Sequence, residues 1–215
     1  MKNGSDVTRD RIVEASVHLF STQGFKGTST REIARLADIN ETSLFRHFPR
    51  KEDLFWAALN SQLDRLRLRK ELQSGLKEIK HPRIVVPLIA EFLVDAARYH
   101  SSALKLLIIS LIELQPSGEL VWRERIGPII RDIAVYLERC ASAGSLKQLD
   151  TSVTAVGFFS TVLAHQCMYR VVTGAPNSYA NVAEAIEAYS KYLLDTLLPS
   201  EGGPDAALYS APSTL

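Results

Sequence analysis

Residues 29–54 read STREIARLADINETSLFRHFPRKEDL, and this stretch constrains the chain more than any other. The spacing predicts two short helices, at about 30–37 and 41–48, joined by a four-residue turn, Ala37-Asp38-Ile39-Asn40. Ser29-Thr30-Arg31-Glu32 fits a capping box, in which the Ser29 hydroxyl takes the N–H of Glu32 and the Glu32 side chain reaches back to that of Ser29. Ile33, Leu36 and Ala37 fall on one side of the first helix, with Arg31 and Arg35 one turn apart on another. Ile39 is expected between the two helices, and Asn40 is expected to cap the second.

On the second helix Leu44 and Phe48 are four residues apart and face inward. Thr42 and Arg46 point the opposite way, with Ser43 and His47 on one flank and Phe45 on the other. Pro49 ends the helix. Lys51-Glu52-Asp53 opens a further helix whose free N–H groups, with Lys51, form a point suited to phosphate. This is the layout of a helix-turn-helix, in which a short helix enters the major groove of DNA. Exposed Thr, Ser, Arg and His side chains read base edges and donate to phosphates. Periodicity alone leaves a second reading open, a solvated helical hairpin with a polar face.

The rest of the chain is helical in pattern, with no convincing two-residue alternation. A first helix is expected at about 8–23, with Ile12, Ala15, Leu19 and Phe20 as its apolar face. Gly24 ends it in a left-handed conformation, and Phe25 packs back on the core. Beyond the motif, helices are expected near 51–74, 83–99, 101–115, 118–142, 151–173 and 179–198. Pro116, Gly118, Gly144, Gly174 and Pro176 punctuate them. The fold class is therefore all-α, with about nine helices. Residues 1–54 form a head, 55–198 a body, and 199–215, rich in Pro, Gly, Ser and Ala, a mobile tail.

Hydrophobic residues make up 46% of the chain and charged residues 23%, ordinary for a soluble globular protein. The net charge of +1 carries no global nucleic-acid signal. Its distribution is uneven: residues 1–83 hold 16 Lys and Arg against 11 Asp and Glu, and the remainder holds 9 against 13. A mildly basic front on an acidic back suits a DNA-binding head on a separate body, though ordinary scatter gives the same figures. The basic run at 65–70, RLRLRK, spreads its charges around more than one helix face and reads as solvated, with added nonspecific attraction to DNA as the alternative. Cys140 and Cys167 stand in apolar helical sequence without metal-ligand spacing, so both read as core residues of a reduced, cytoplasmic protein. Residues 151–169 carry no formal charge, close to the length of a membrane span. Their Thr, Ser, His and Gln favour a helix buried on most faces inside a protein or dimer, and no membrane partner is expected.

The segment from residue 8 to residue 59 resembles the DNA-binding domain of the tetracycline-repressor (TetR) family. The matching marks are Gly24-Phe25-x-Gly27-Thr28, Arg31-Glu32-Ile33-Ala34, and Ser43-Leu44-Phe45-x-His47-Phe48-x-x-Lys51-Glu52-x-Leu54. They cover about a quarter of the chain; the later helices resemble the family only in number and length. The resemblance implies that Arg31 contacts a base or phosphate, that Thr42 and Ser43 face the groove, and that His47 and Lys51 meet phosphates. With Ser29, Thr30, Phe45 and Arg46 these are the candidate DNA contacts. Two positions depart from the family pattern. Phe45 stands where tyrosine is usual, which removes a hydroxyl-to-phosphate bond and leaves apolar contact with sugar or a thymine methyl. Asp38 stands where the turn usually has glycine, and Asp tolerates the left-handed region better than most residues.

A single head offers one short helix to the groove, so specific affinity calls for two heads on a two-fold axis. The resemblance implies a four-helix homodimer interface made by the last two helices of each chain. Its candidate residues are Val153, Val156, Gly157, Ser160, Ala164 and Cys167 on the first, and Val182, Ile186, Tyr189, Leu193 and Leu197 on the second. Packing of both helices on their own core is the competing reading. The family's bodies usually bind a small, often hydrophobic effector. Phe92, Tyr99, Leu107, Trp122, Ile126, Tyr136, Phe158, His165 and Tyr169 are the residues able to line such a pocket, although each also reads as core.

These features predict a homodimeric transcriptional repressor released from a near-palindromic operator by a small molecule. A dimeric DNA-binding regulator that answers to a protein partner instead is the alternative. No paired nucleophile and base, metal spacing or glycine-rich phosphate loop points to an enzyme, a cofactor or a metal.

Overall fold

A computed structural model describes residues 4–66, 70–78, 80–168 and 181–199. The tail from 200 onward, Tyr169, the Cys167 side chain, Gly174 and Pro176 lie outside the described residues, as does part of the basic run at 65–70. The described residues are helical, without strands. They divide into two compact units, each assembled from two stretches of chain.

The first unit comprises residues up to 67 and His100–Arg125. Its helices are α1 (Gly4–Gly27), α2 (Thr30–Leu36), α3 (Glu41–His47), α4 (Lys51–Leu63), α7 (Ser101–Glu113) and α8 (Ser117–Val121), followed by a π-helical turn at Trp122–Ile126 whose last residue opens the second unit. Its core joins Ile12, Phe20, Ile33, Leu44, Leu54, Phe55, Ala58 and Leu59, none of which has any exposed surface. Phe20, Phe25 and Phe55 form an aromatic cluster with centroid separations of 5.2–5.8 Å. α7 packs against both α1 and α4, and buries Ala103, Leu104, Leu106 and Leu107. The unit therefore extends past residue 54, the end expected for the head. Gly118 brings α8 onto the backbone of α7: a Cβ there would lie 2.1 Å from the Ser110 carbonyl oxygen.

The second unit comprises Leu68–Tyr99 and the chain from Ile126 onward. It holds α5 (Lys70–Lys77), α6 (Pro82–Tyr99), α9 (Gly127–Ser142), α10 (Thr151–Cys167) and α11 (Val182–Leu197). α6 packs on α5, α10 and α11, and α9 packs on α5 and α10. Val85, Val86, Ile89, Leu93, Leu137, Phe158, Phe159 and Val162 fill the core. Asp150 and Asn181 cap α10 and α11 by accepting the N–H of Val153 and Glu184, each at 2.9 Å. The buried Tyr136 hydroxyl donates to the Lys80 carbonyl at 2.6 Å, and burial raises its pKa. Burial also pushes up the thiol of Cys140, which is a core residue as expected.

Three expectations need correction. Two helices expected as continuous are divided: residues 51–74 give α4 and α5, and residues 118–142 give α8, the π-turn and α9. Apolar spacing that continues through a break hides the break, which is why periodicity merged them. Gly24 does take positive φ, at 77°, but with ψ of 174° it occupies an extended region open essentially to glycine and not the left-handed helical one. The first helical run does stop at this kink, as expected, and a short turn of helix follows to Gly27, the two together making α1. Leu36 was expected inward with Ile33 and Ala37, yet it is 52% exposed, while Ala34 is buried in its place.

Among the described residues no helix is long and apolar enough to cross a membrane. The uncharged stretch at 151–169 instead supplies α10, which buries Ala155, Phe158, Phe159 and Val162.

Candidate nucleic-acid interface

The geometry of the site starts with its caps. Glu32 N–H donates to the Ser29 hydroxyl oxygen at 3.2 Å, and Ser29 N–H donates to the Glu32 carboxylate at 3.0 Å. The Ser29 hydroxyl also donates to that carboxylate at 2.7 Å, so hydrogen bonds from Ser29 hold the Glu32 carboxyl below its usual range. Asn40 accepts the Ser43 N–H at 2.7 Å and starts α3. Between the two caps Asp38 adopts φ of 53°, the one non-glycine residue at positive φ among the described residues. The turn thus keeps the left-handed conformation that glycine would supply, with aspartate in it. Ile39 is half-buried there.

A side-chain bond ties the two helices: the Thr30 hydroxyl donates to the Glu41 carboxylate. Leu44 and Phe48 anchor α3 on the core, at 0% and 4% exposure. That fixes the rotation of α3 and decides what it shows. Thr42, Phe45 and Arg46 are exposed; Ser43 and His47 are half-buried at the flanks. Arg31 and Ser29, from the start of α2, are exposed as well. The expected contact residues Ser29, Thr30, Arg31, Thr42, Ser43, Phe45, Arg46 and His47 therefore gather on α2, α3 and their caps. The hydroxyl hydrogens of Ser29 and Thr30 are committed to Glu32 and Glu41, which leaves their oxygens as acceptors.

At the start of α4, Asp53 accepts from the Arg50 backbone N–H at 3.1 Å and from its guanidinium at 2.8 Å. The Arg50 side chain holds the Asp53 carboxyl below its usual range. Lys51 is half-buried, with Nζ 4.5 Å from the Phe25 ring centroid. That ring gives the ammonium a defined place, since a cation over an aromatic face is held electrostatically.

Sequence reasoning missed Arg9. It is exposed on α1, with its guanidinium 4.9 Å from the ring centroid of Phe48, the residue that follows α3. Nothing in the spacing of α1 distinguishes Arg9 from other surface arginines; only the fold brings it to the end of α3. Glu113, whose carboxylate accepts the Lys26 backbone N–H, carries no such mark in the sequence either.

The residues expected at a dimer face separate into two groups. On α10, Val153, Val156, Gly157, Ser160 and Ala164 are all exposed. On α11, Tyr189, Leu193 and Leu197 are buried in their own unit, a correction to the expected interface; the face they form points into the core made with α6. Val182 is half-buried. Ile186 lines an open groove of about 660 Å³ with Arg83, Pro87, Ser190, Leu194 and neighbouring residues. Tyr192, unmarked in the sequence, is 58% exposed on α11.

The residues expected to line an effector pocket are divided between the two units. Leu107 and Trp122 belong to the first unit; Phe92, Tyr99, Ile126, Tyr136, Phe158 and His165 belong to the second. Tyr99 is 68% exposed, whereas Phe92, Ile126, Tyr136 and Phe158 are core. His165 Nδ1 is hydrogen-bonded to the Tyr189 hydroxyl at 2.5 Å, and Gln166 donates to that hydroxyl at 3.1 Å. None of these residues is among those lining the groove between α6 and α11.

Residues 29–51 thus form a capped helix-turn-helix with a polar, cationic outer side. Residues 12–58 match the bacterial regulatory proteins of the tetR family. The chain is similar to the HTH-type transcriptional repressor NicS of Pseudomonas putida, 32% identical over 104 residues that cover 40% of this chain and 49% of NicS. It is similar to the HTH-type transcriptional repressor AcnR of Corynebacterium glutamicum, 22% identical over 168 residues that cover 78% of this chain and 84% of AcnR. Among solved structures it shares its fold with AibR, determined in complex with isovaleryl coenzyme A and operator DNA. The TM-score is 0.68 at 20% identity, over 86% of this chain and 97% of that one. The chain spans about half the length of NicS, and 23% of a Bacillus subtilis relative that is 47% identical over 47 residues. The likeness to the bacterial regulatory proteins of the tetR family is carried by residues 12–58, where the motifs of residues 24–54 lie.

Proposed function

We propose that the chain is a homodimeric repressor that holds a near-palindromic operator and releases it when a small molecule binds the body. The observation that carries the DNA part is the outer side of α3, where Thr42, Phe45 and Arg46 are exposed while Leu44 and Phe48 lock the helix from beneath. Arg46 is suited to a bidentate contact with guanine, Thr42 and Ser43 to base edges or phosphate, and Phe45 to a thymine methyl. Arg31, His47 and Lys51 supply phosphate contacts that fix the register.

The dimer part is supported by α10. Val153 and Val156 are 67% and 49% exposed on the same side as Gly157. Among the described residues a Cβ built on Gly157 would meet nothing within 4 Å, so packing against them gives no reason for glycine there. A mid-helix glycine costs about 1 kcal/mol relative to alanine. The close approach of a second copy's helix supplies the reason. The effector part is supported by fold likeness to AibR, a regulator crystallised with an acyl-coenzyme A and its operator. An effector must bind one head spacing better than the other, and tight binding without that preference shifts nothing.

A gel-shift with the DNA immediately upstream of the gene tests this reading. The expected result is a sequence-preferring complex that weakens steeply with salt. No such band, or one indifferent to sequence, removes the operator-binding claim.

A further inference from the structure

We infer that Glu113, near the end of α7, is a positioning residue for DNA binding that sets the place of Lys51. The inference rests on the reading of Lys51 as a phosphate contact. Three contacts within the first unit carry it. The Lys26 backbone N–H donates to Glu113 Oε2 at 2.8 Å, across 87 residues of sequence. Lys26 follows directly on Phe25 and the Gly24 bend, so this bond holds the bend from outside α1. Phe25 then places its ring against Phe20 and Phe55, and that ring carries the Lys51 ammonium at 4.5 Å.

The bend is built around the carboxylate. At Gly24 the positive φ calls for glycine, and a Cβ there would come within 2.9 Å of Glu113 Oε1 and displace the carboxylate. On the inner side the buried Thr28 hydroxyl donates to the Gly24 carbonyl at 2.8 Å. α7 is itself packed on α1 and α4, which gives the carboxylate a fixed base. A carboxylate accepting a backbone N–H is a charge-assisted bond, stronger than the neutral kind. Without it the segment carrying Phe25 gains freedom, and the ammonium loses the surface that fixes it at the start of α4.

Electrostatics alone gives the opposite sign. Removing a negative charge from a DNA-binding unit strengthens attraction to phosphate. A loss of affinity on removing Glu113 therefore reports its positioning role. Glu113→Gln removes the same charge and keeps an oxygen able to accept the Lys26 N–H, so it separates the two effects.

The test uses the full chain and a fluorescein-labelled duplex of mixed sequence at low salt, with E113A and E113Q each made in the Lys51 and K51A backgrounds. The expected result is a loss of about three- to tenfold for E113A with Lys51 present, and less than about twofold in K51A, because coupled residues are not additive. The salt slope of E113A should fall by about 1, as in K51A. E113Q, which keeps an acceptor for the Lys26 N–H and loses the negative charge, should bind at least as tightly as the wild type. Amide hydrogen exchange at Lys26 should speed up in E113A and not in E113Q. Wild-type affinity and salt slope for E113A, an equal loss in both backgrounds, or an unchanged Lys26 exchange rate overturns the inference. A wild-type chain that binds no DNA overturns the operator-binding reading and this inference together; binding that E113A leaves intact overturns only this one.

Discussion

α3 and α10 each leave one side uncovered, and what they uncover differs. α3 shows Thr42, Phe45 and Arg46, flanked by Ser43 and His47, on a helix of seven residues pinned by Leu44. α10 shows Val153, Val156, Gly157, Ser160 and Ala164 on a helix of seventeen residues that holds no Asp, Glu, Lys or Arg. A polar, cationic side stays hydrated until it meets phosphate and base edges. An apolar side with small residues loses by staying in water, and gains by meeting a surface of its own kind. Among the described residues the chain thus carries two open surfaces, and the proposed function gives each a different partner.

The largest expected effect comes from spoiling the apolar surface. Val156→Arg should convert a dimer to a monomer in sedimentation while leaving the helical circular dichroism intact. Operator affinity should fall by more than about 100-fold, since one head loses the contribution of the other. A dimer that persists in this variant breaks the comparison at α10. On the polar side, Arg46→Ala should cost about 1–3 kcal/mol against the preferred sequence and relax selectivity at one base position. Equal loss on every sequence would make Arg46 a phosphate contact instead.

Smaller changes sharpen the polar side. Phe45→Tyr should tighten operator binding by about two- to tenfold, the worth of one added hydrogen bond. Phe45 is 42% exposed, so a hydroxyl there has room. Unchanged affinity would place Phe45 away from the backbone. The smallest effect concerns the capping box. Hydrogen bonds from Ser29 lower the Glu32 pKa in the folded chain. A lowered carboxyl contributes stability above its unfolded value and loses it as pH falls through the folded one. Ser29→Ala should therefore lower the melting temperature by roughly 2–4 °C at neutral pH, with the gap closing in acid. A gap independent of pH would mean that the Ser29 hydroxyl acts through the Glu32 N–H and not through the Glu32 carboxylate.

The two surfaces were unequally legible in the sequence. Residues 29–54 declare themselves because each local signal agrees with the next: Ser29 with Glu32, Asn40 with Ser43, Leu44 with Phe48. Asp38 was read as a left-handed turn residue and has φ of 53°. In the second unit the signals are apolar and periodic, and an apolar stripe does not say whether its cover is the same chain or another. Tyr189, Leu193 and Leu197 look like Val153 and Val156 in spacing, yet α6 covers the first set and leaves the second open. Contacts that join distant segments left no mark at all. Arg9 beside Phe48 and Glu113 beside Lys26 depend on the docking of α1 and α7, which no local pattern encodes.

The measurement that tests the central claim most directly is selection of binding sites from random duplex DNA by the intact chain. The account predicts enrichment of a near-palindrome whose half-sites are centred one helical turn apart, about 10 base pairs, or a multiple of it. Enrichment of a lone, asymmetric half-site would contradict the paired-head account, and no enrichment at all would contradict the reading of α3.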